Sequence, residues 1–272
     1  MSDHLVCLTF DFDTVAIWLA SGQTTPTPIS RGEFGVVAAD RLVRLFDDLD
    51  IQTTWFVPGI TIDTFEGACR AVAEAGHEIA HHGYDHVSPQ SLTEAEELDQ
   101  LRRGNDAIAR IAGQPARGYR SPAWDLSPHT VNLLIEEGFV YDSSLMGHDY
   151  LPYRARSGDK IEPGQPIRFG SESALWELPI SWSLDDFPHF EYYRGGGLRA
   201  ASGVLENWLD DFVYMTEHYA WGVVTYTFHP FVIGRGHRMK VLENLIDQLL
   251  QHGARFLTAE QAISASAAHR AD

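Results

Sequence analysis

The chain has 272 residues, 44% hydrophobic and 21% charged, a composition that supplies a core and argues against disorder; since α/β barrels of ~200–250 residues fold as one unit, a single domain over 1–272 is expected. Twenty basic residues against 38 acidic ones leave a net charge of −18 with histidine neutral, which repels phosphate backbones and anionic headgroups and excludes nucleic acid and membranes as partners. The same chain carries 13 histidines, and histidine with carboxylate is a ligand set for a divalent transition metal.

Met1-Ser2-Asp3-His4 has no basic segment, and the apolar run behind it is broken by Asp11 and Asp13, so no signal peptide or anchor is expected. No apolar stretch reaches the ~20 residues of a membrane span, and a cytoplasmic chain is expected. Leu5–Phe10 is a candidate for a buried strand; its Cys7, like Cys69 further on, is read as a buried free thiol. Thr14–Gly35, with Pro26 and Pro28, is too long for an ordinary strand-to-helix connection and is expected to drape over a barrel end. Val36–Leu49 then shows helical spacing. Thr53–Val57 is β-branched and aromatic, a strand ending at Pro58-Gly59. A helix from about Ile62 to Ala75 stops at Gly76, and Glu78–His81 is the third strand.

Ser91-Leu92-Thr93-Glu94 reads as a capping box opening a helix to Ala112 that closes at Gly113. A short strand near Gly118–Arg120, a helix opened by Ser127-Pro128, and strands at Phe139–Tyr141 and Ala174–Ile180 follow. Tyr153–Ser173 and Leu184–Gly197, the latter with Gly195-Gly196-Gly197, are long loops expected near the site or a subunit interface. A helix over Ala201–His218 leads into a buried strand at Gly222–Phe228, and a last helix through Val241 and Leu250 ends before Gly253. Seven strands in a βα series predict an irregular α/β barrel. No G-x-G-x-x-G follows the first strand, which argues against a dinucleotide-binding sheet.

An α/β barrel carries its active site at the carboxyl ends of its strands. At those ends stand Asp11 and Asp13, His82 and His86, Arg120 and Trp124, Asp142, and His229. Each has a plain structural alternative: loop carboxylates, a surface histidine pair, an ordinary ion pair for Arg120, core for Trp124, a satisfied core histidine for His229. Taken together the alternatives weaken. Two carboxylates behind a buried strand are costly unless something positive sits between them, and His82 and His86 at i and i+4 would share one face of a helical turn. Asp13, His82 and His86 make three ligands, which leaves the open position of a catalytic zinc. Asp11 is then placed as the base, with Arg120 to orient it, and His229 as the acid for a departing nitrogen. His81 alternates away from His82 and suits a supporting role. Zinc comes first for the metal, and Asp-His-His also suits cobalt, nickel or iron.

In this order the residues resemble the polysaccharide deacetylase family with the nodulation-protein-B homology domain, carbohydrate esterase family four. Thr9-Phe10-Asp11-Phe12-Asp13 is similar to its first motif, base then metal ligand, although Phe12 separates aspartates that are usually adjacent. His82-Gly83-Tyr84-Asp85-His86 resembles the second motif, Arg120-Ser121-Pro122-Ala123-Trp124 the third, with its arginine partner of the base and aromatic groove wall, and Thr227-Phe228-His229-Pro230 the fifth. Tyr141-Asp142-Ser143-Ser144 begins the fourth, but Leu145 and Met146 replace the usual Asp-Trp, which leaves Asp142 and Asp149 as candidates to tune His229. The resemblance implies a distorted seven-stranded (β/α) barrel and a hydrolase of non-peptide carbon–nitrogen bonds, by default a deacetylase of N-acetylated sugar. The Asp-x-Asp spacing, the Arg31-Gly32-Glu33-Phe34-Gly35 insertion and the run from His229 to Arg235 resemble a branch containing peptidoglycan-deacetylase-like proteins and allantoin and cyclic-imide hydrolases. That branch implies a homo-oligomer, an enclosed site for a sugar or small-molecule substrate, and Arg235 among the residues serving it. A non-catalytic sugar-binding protein on the same fold is the remaining alternative, and the presence of both Asp11 and His229 counts against it.

Overall fold

The computed structural model describes residues 4–192 and 197–270; the first three residues and Gly195-Gly196 of the glycine run lie outside the described residues. Its strands are β1 (His4–Asp11), β2 (Thr54–Val57), β3 (Glu78–His81), β4 (Gly118–Tyr119), β5 (Tyr141–Asp142), β6 (Tyr153–Ser157), β7 (Ser171–Glu177), β8 (Gly222–Phe228) and β9 (Arg255–Phe256). They form one sheet in the order β6-β7-β5-β4-β3-β2-β1-β8, with β9 also on β1. All pairings are parallel except β6 with β7. The sheet curls into a distorted half-barrel. The segment after β7 narrows its open side, because Asp185 bridges to Thr227 of β8.

Burial on both faces explains the unbroken apolar character of β1. Val6, Leu8 and Phe10 pack outward against the helices, whereas Leu5 and Cys7 point inward with Phe56, Ala80, Tyr141 and Val223. Phe10 anchors the outer layer, stacked 4.8 Å from Trp55. Beneath the inward layer, Ala259, Ala262 and Ile263 of the helix Ala259–His269 close the barrel floor. Cys7 and Cys69 are free and buried. No helix among the described residues is long and apolar enough to cross a membrane.

The seven expected strands are present, Glu78–His81 and Gly222–Phe228 with the expected ends and the other five with shifted ones, and two more accompany them. β6 escapes a hydrophobic reading because only Ala155 of its five residues is fully buried, and β9 is two residues long. Together β6 and β7 make an antiparallel arm of the expected loop Tyr153–Ser173. The stretch Thr14–Gly35 is helical, not a draped loop: it contains the helix Ala16–Ala20 and the opening of the helix Pro26–Leu49. Its prolines sit in the first turn, where no intrahelical N–H is required of them. Gly32 belongs to a close approach, since a Cβ there would lie 2.5 Å from the Thr14 carbonyl oxygen. The helix expected over Ile62–Ala75 breaks at Phe65 into Gly59–Thr64 and Glu66–Glu74. The capping box is Thr93 with Glu96, not Ser91 with Glu94. The helix after Ser127 begins only at Thr130, although Ser127 Oγ accepts from the His129 and Thr130 amides.

One polar pair is sealed in this frame. Asp142 of β5 and Glu177 of β7 lie in register and are fully buried. Burial, against help from the Ser144 hydroxyl, raises Asp142 to about 6, and burial with the Asp142 charge raises Glu177 well above the usual carboxylate range. Raised carboxyl pKa values favour the folded state while protonated, so this contribution is full below about pH 4 and is lost as pH rises through 6 and beyond. Glu177→Gln keeps an oxygen for the Ser144 and Leu145 amides that Glu177 now serves. It is expected to raise Tm by roughly 2–4 °C at pH 9 and to leave it unchanged near pH 4.5. Calorimetric scans across that range check this, and a difference independent of pH contradicts it.

Candidate active site

Strand alternation sets the two aspartates. Phe12 turns outward into the core, edge-on to Trp55 at 5.3 Å, so Asp11 and Asp13 on either side of it both face the barrel mouth. Asp13 is fully buried, and neither of its carboxylate oxygens has a hydrogen-bond partner among the described residues. His82 Nε2 lies 3.4 Å from one of these oxygens and His86 Nε2 lies 3.4 Å from the other. The three ligating atoms are within 4.8 Å of one another. Burial alone would push the Asp13 carboxyl up, but His86 and His82 hold it well below the usual range.

The histidines meet by a different route from the one their spacing suggests. The chain from His82 to Val87 is not helical; it bends through Gly83 at φ 70° and His86 at φ 63°, which brings the imidazoles to 5.0 Å. His82 is oriented by Nδ1 against the Arg120 carbonyl at 2.7 Å, which aims Nε2 at Asp13. His81 points away: its Nε2 meets the Leu101 carbonyl at 3.1 Å and its Nδ1 accepts from the Gly83 amide. Burial lowers its pKa to about 3, so it is neutral and braces the bend.

Arg120 is fully buried and completely engaged. Its Nη1 donates to Asp11 Oδ1 at 2.8 Å and to Thr9 Oγ1, and its Nε and Nη2 donate to the backbone and hydroxyl oxygens of Ser143. The guanidinium rests on the Phe56 ring at 4.1 Å. Trp124 Nε1 approaches the other Asp11 oxygen at 3.5 Å. Both Asp11 oxygens are therefore directed, with Oδ2 on the side of His82 at 3.9 Å.

His229 faces Asp13 from across the cluster, Nε2 to Oδ2 3.8 Å. Neither carboxylate expected to tune it does so. Asp142 is taken by the Ser144 hydroxyl and Glu177, and Asp149 is exposed. Asp186 fills that position: its Oδ1 lies 2.9 Å from His229 Nδ1 and also accepts from the His229 amide, while Asp185 stands 3.5 Å from Nδ1. Burial would lower the imidazole pKa, but Asp185, Asp186 and Asp13 outweigh it and raise it to about 10. Asp185 and Asp186 lie well past the end of β7 at Glu177, behind the turn Trp182–Leu184, so inspecting the residues directly behind each strand does not reach them. Arg235 is not brought to the site; its guanidinium stacks 3.6 Å over Phe34 and it is not part of the cavity wall.

Asp11, Asp13, His82, His86, Trp124 and His229 line a cavity of about 450 Å³ whose apolar wall includes Ile17 and Phe187. Trp182, half-exposed and missed in the sequence, stacks on Trp124 at 4.2 Å. Backbone strain concentrates here. Of six non-glycine residues with positive φ among the described residues, His86, Ala123 and Trp124 line the cavity and Thr14 follows Asp13. Each costs roughly 1 kcal/mol or more, which a fold retains only where surrounding contacts overdetermine the turn.

A curled parallel sheet that gathers a carboxylate, two histidines, a directed second carboxylate and an opposed histidine at its strand ends defines a hydrolase of the deacetylase type, acting on carbon–nitrogen bonds. The polysaccharide deacetylase family model matches residues 1–141. A peptidoglycan deacetylase of Helicobacter pylori is 35% identical over 272 aligned residues, spanning 93% of this chain and 93% of its own. A peptidoglycan deacetylase-like protein of Gibberella zeae is 26% identical over 94% of this chain and 84% of its own. The crystal structure of a Mycobacterium smegmatis protein described as a polysaccharide deacetylase superposes with a TM-score of 0.87 at 32% identity, covering 99% of this chain and 92% of that one. The Puue allantoinase structure shares the fold, with a TM-score of 0.80 at 21% identity over 97% of this chain and 90% of its own. The chain belongs to the polysaccharide deacetylase family.

The Asp13, His82 and His86 donor set fits a divalent cation, because a buried carboxylate without a donor faces two imidazole nitrogens. Asp13→Ala and His82→Ala are each expected to weaken zinc binding by at least about 100-fold. Trp182→Ala is expected to leave it unchanged. Equilibrium dialysis with metal analysis checks this, and wild-type affinity in either ligand variant contradicts the assignment.

Proposed function

We propose that the chain is a metal-dependent hydrolase of non-peptide carbon–nitrogen bonds, by default a deacetylase of N-acetylated sugar, with 1–272 acting as one catalytic domain. The observation that carries this reading is the unpartnered Asp13 carboxylate between His82 and His86, with Asp11 and His229 on opposite sides of it. A divalent cation held there, zinc first among zinc, cobalt, nickel and iron, would polarise an amide carbonyl and acidify a water. Asp11, fixed by Arg120 and Trp124, is directed to take the proton of the attacking water. His229, held through Nδ1 by Asp186, presents Nε2 to give a proton to the leaving nitrogen. Trp124 and Trp182 form an aromatic face against which a sugar ring can lie. The name of the Helicobacter pylori relative supports an N-acetyl sugar of peptidoglycan type as the substrate.

A second reading is a cyclic imide or ureide hydrolase. It is favoured by the size of the cavity, about 450 Å³, and by its apolar wall of Ile17, Trp124, Trp182 and Phe187, which suit a compact flat ring as well as a sugar.

Asp11→Asn is expected to retain zinc and lose about 10²–10⁴ in kcat, the span usual for general-base loss. Loss of metal with loss of turnover would instead place Asp11 among the ligands, and full turnover would overturn the base assignment. Trp182→Ala is expected to raise KM several-fold with little change in kcat, read by steady-state kinetics. Assays against N-acetylglucosamine oligomers and against succinimide and allantoin separate the readings: turnover of the rings alone overturns the deacetylase assignment.

A further inference from the structure

We propose that Arg238 is a positioning residue for the proton donor: it clamps together the two short helices that carry Asp186 and His229, and so fixes the imidazole that serves the leaving nitrogen. The proposal rests on the reading of His229 as the acid.

The acid pair stands on slight local supports. Asp186 opens the helix Asp186–Phe190, five residues long, and His229 caps the helix Pro230–Ile233, four residues long. A single turn of helix does not hold itself in water. The placement of Asp186 Oδ1 against the His229 ring and amide, both at 2.9 Å, therefore depends on tertiary contacts. Phe187 supplies one, with its ring 5.2 Å from that of His229 and 6.2 Å from that of Phe231. That contact is apolar packing and sets no hydrogen-bond direction.

Arg238 supplies the directional contact. It comes from a separate element, the long helix Gly236–Gln251, and is 8% exposed. Its Nη2 donates at 2.7 Å to the carbonyl of Phe190, at the far end of the helix that Asp186 opens. Its Nη1 donates at 3.1 Å to the carbonyl of Val232, in the helix that His229 caps. Bonds from a cation are the stronger kind, and the planar guanidinium fixes the angle between them. One side chain thus spans the far ends of two helices whose near ends meet in the Asp186–His229 pair. It is not part of the catalytic cavity wall, so it acts through that pair and not on the substrate.

Charge acts in the same sense. Burial raises the Asp186 carboxyl, and the His229 contacts and the Arg238 charge oppose that rise. Arg238 Nε and Asp186 Oδ2 are both buried without a hydrogen-bond partner among the described residues, so these two residues interact through charge and not through a direct bond.

Leaving-group dependence in the zinc-loaded full chain tests the clamp. An amine must be protonated to depart, whereas 4-nitrophenyl acetate releases its phenolate as an anion, so loss of a positioned acid slows amide cleavage selectively. Arg238→Met, which keeps the buried stem, is expected to lower kcat on N-acetylglucosamine oligomers by about 10–100-fold. Its KM, zinc content and 4-nitrophenyl acetate turnover are expected to stay within about twofold of wild type. Arg238→Lys keeps the charge but not the fork, and is expected to lose roughly two- to fivefold with the same selectivity; it carries the test if Arg238→Met does not fold. If the chain turns over the ring compounds alone, succinimide replaces the oligomers. His229→Ala is expected to show a selective loss at least as large. Equal losses on amide and ester in the Arg238 variants, or an unchanged amide rate in Arg238→Met, overturn the proposal while His229→Ala stays selective. Equal losses in His229→Ala overturn the acid assignment, and the proposal with it.

Discussion

The molecule is organised around a carboxylate that is buried without a donor. Moving an ionised aspartate out of water costs several kcal/mol unless paired charge and hydrogen bonds compensate it, and the Asp13 carboxylate has no hydrogen-bond partner among the described residues. Its neighbours are two imidazole nitrogens at 3.4 Å, each short of an ideal hydrogen bond and each aimed at a different oxygen. A cation between them satisfies all three groups at once. The other polar choices at the barrel mouth become intelligible once that centre is granted.

Around the centre, orientation is achieved by anchoring rather than by net charge. Arg120 ties the ends of three strands together through Asp11, Thr9 and Ser143, and its own carbonyl fixes the ring of His82. One residue therefore directs both a candidate base and a candidate metal ligand, so its loss disturbs both. On the far side Asp186 spends both of its short contacts on His229, one on the ring and one on the amide. The turns carrying His86, Ala123 and Trp124 hold left-handed backbone that side chains disfavour, which is consistent with packing that overrides local preference at a working site. The surface charge of −18 has little part in this, since only a few of the 38 acids enter the cavity.

Much of this was legible in the sequence. The strands buried on both faces announce themselves by continuous apolar runs, and polar residues at their ends mark the mouth of the barrel. Local backbone geometry was less accessible. The i, i+4 spacing of His82 and His86 suggested a helix, whereas a bend through Gly83 does the same work; spacing states how many residues intervene, not the path they take. Pro26 and Pro28 read as loop although both fit a helix start, where the missing N–H costs nothing. Asp142 stands out in the sequence because it follows a strand directly, whereas Asp186 does not. The segment after β7 instead folds back to bridge Thr227, and that long-range pairing, absent from any local pattern, delivers Asp185 and Asp186 to His229. Arg235 lies close to His229 in sequence, yet its side chain leaves the site for Phe34.

The central claim is that one divalent ion sits between Asp13, His82 and His86. X-ray absorption spectroscopy of the zinc-loaded protein tests it most directly, because scattering from imidazole rings counts histidine ligands independently of turnover. A shell of nitrogen and oxygen only, with two imidazoles per zinc, is the predicted result. A sulfur ligand, or fewer than two imidazoles, would contradict the account.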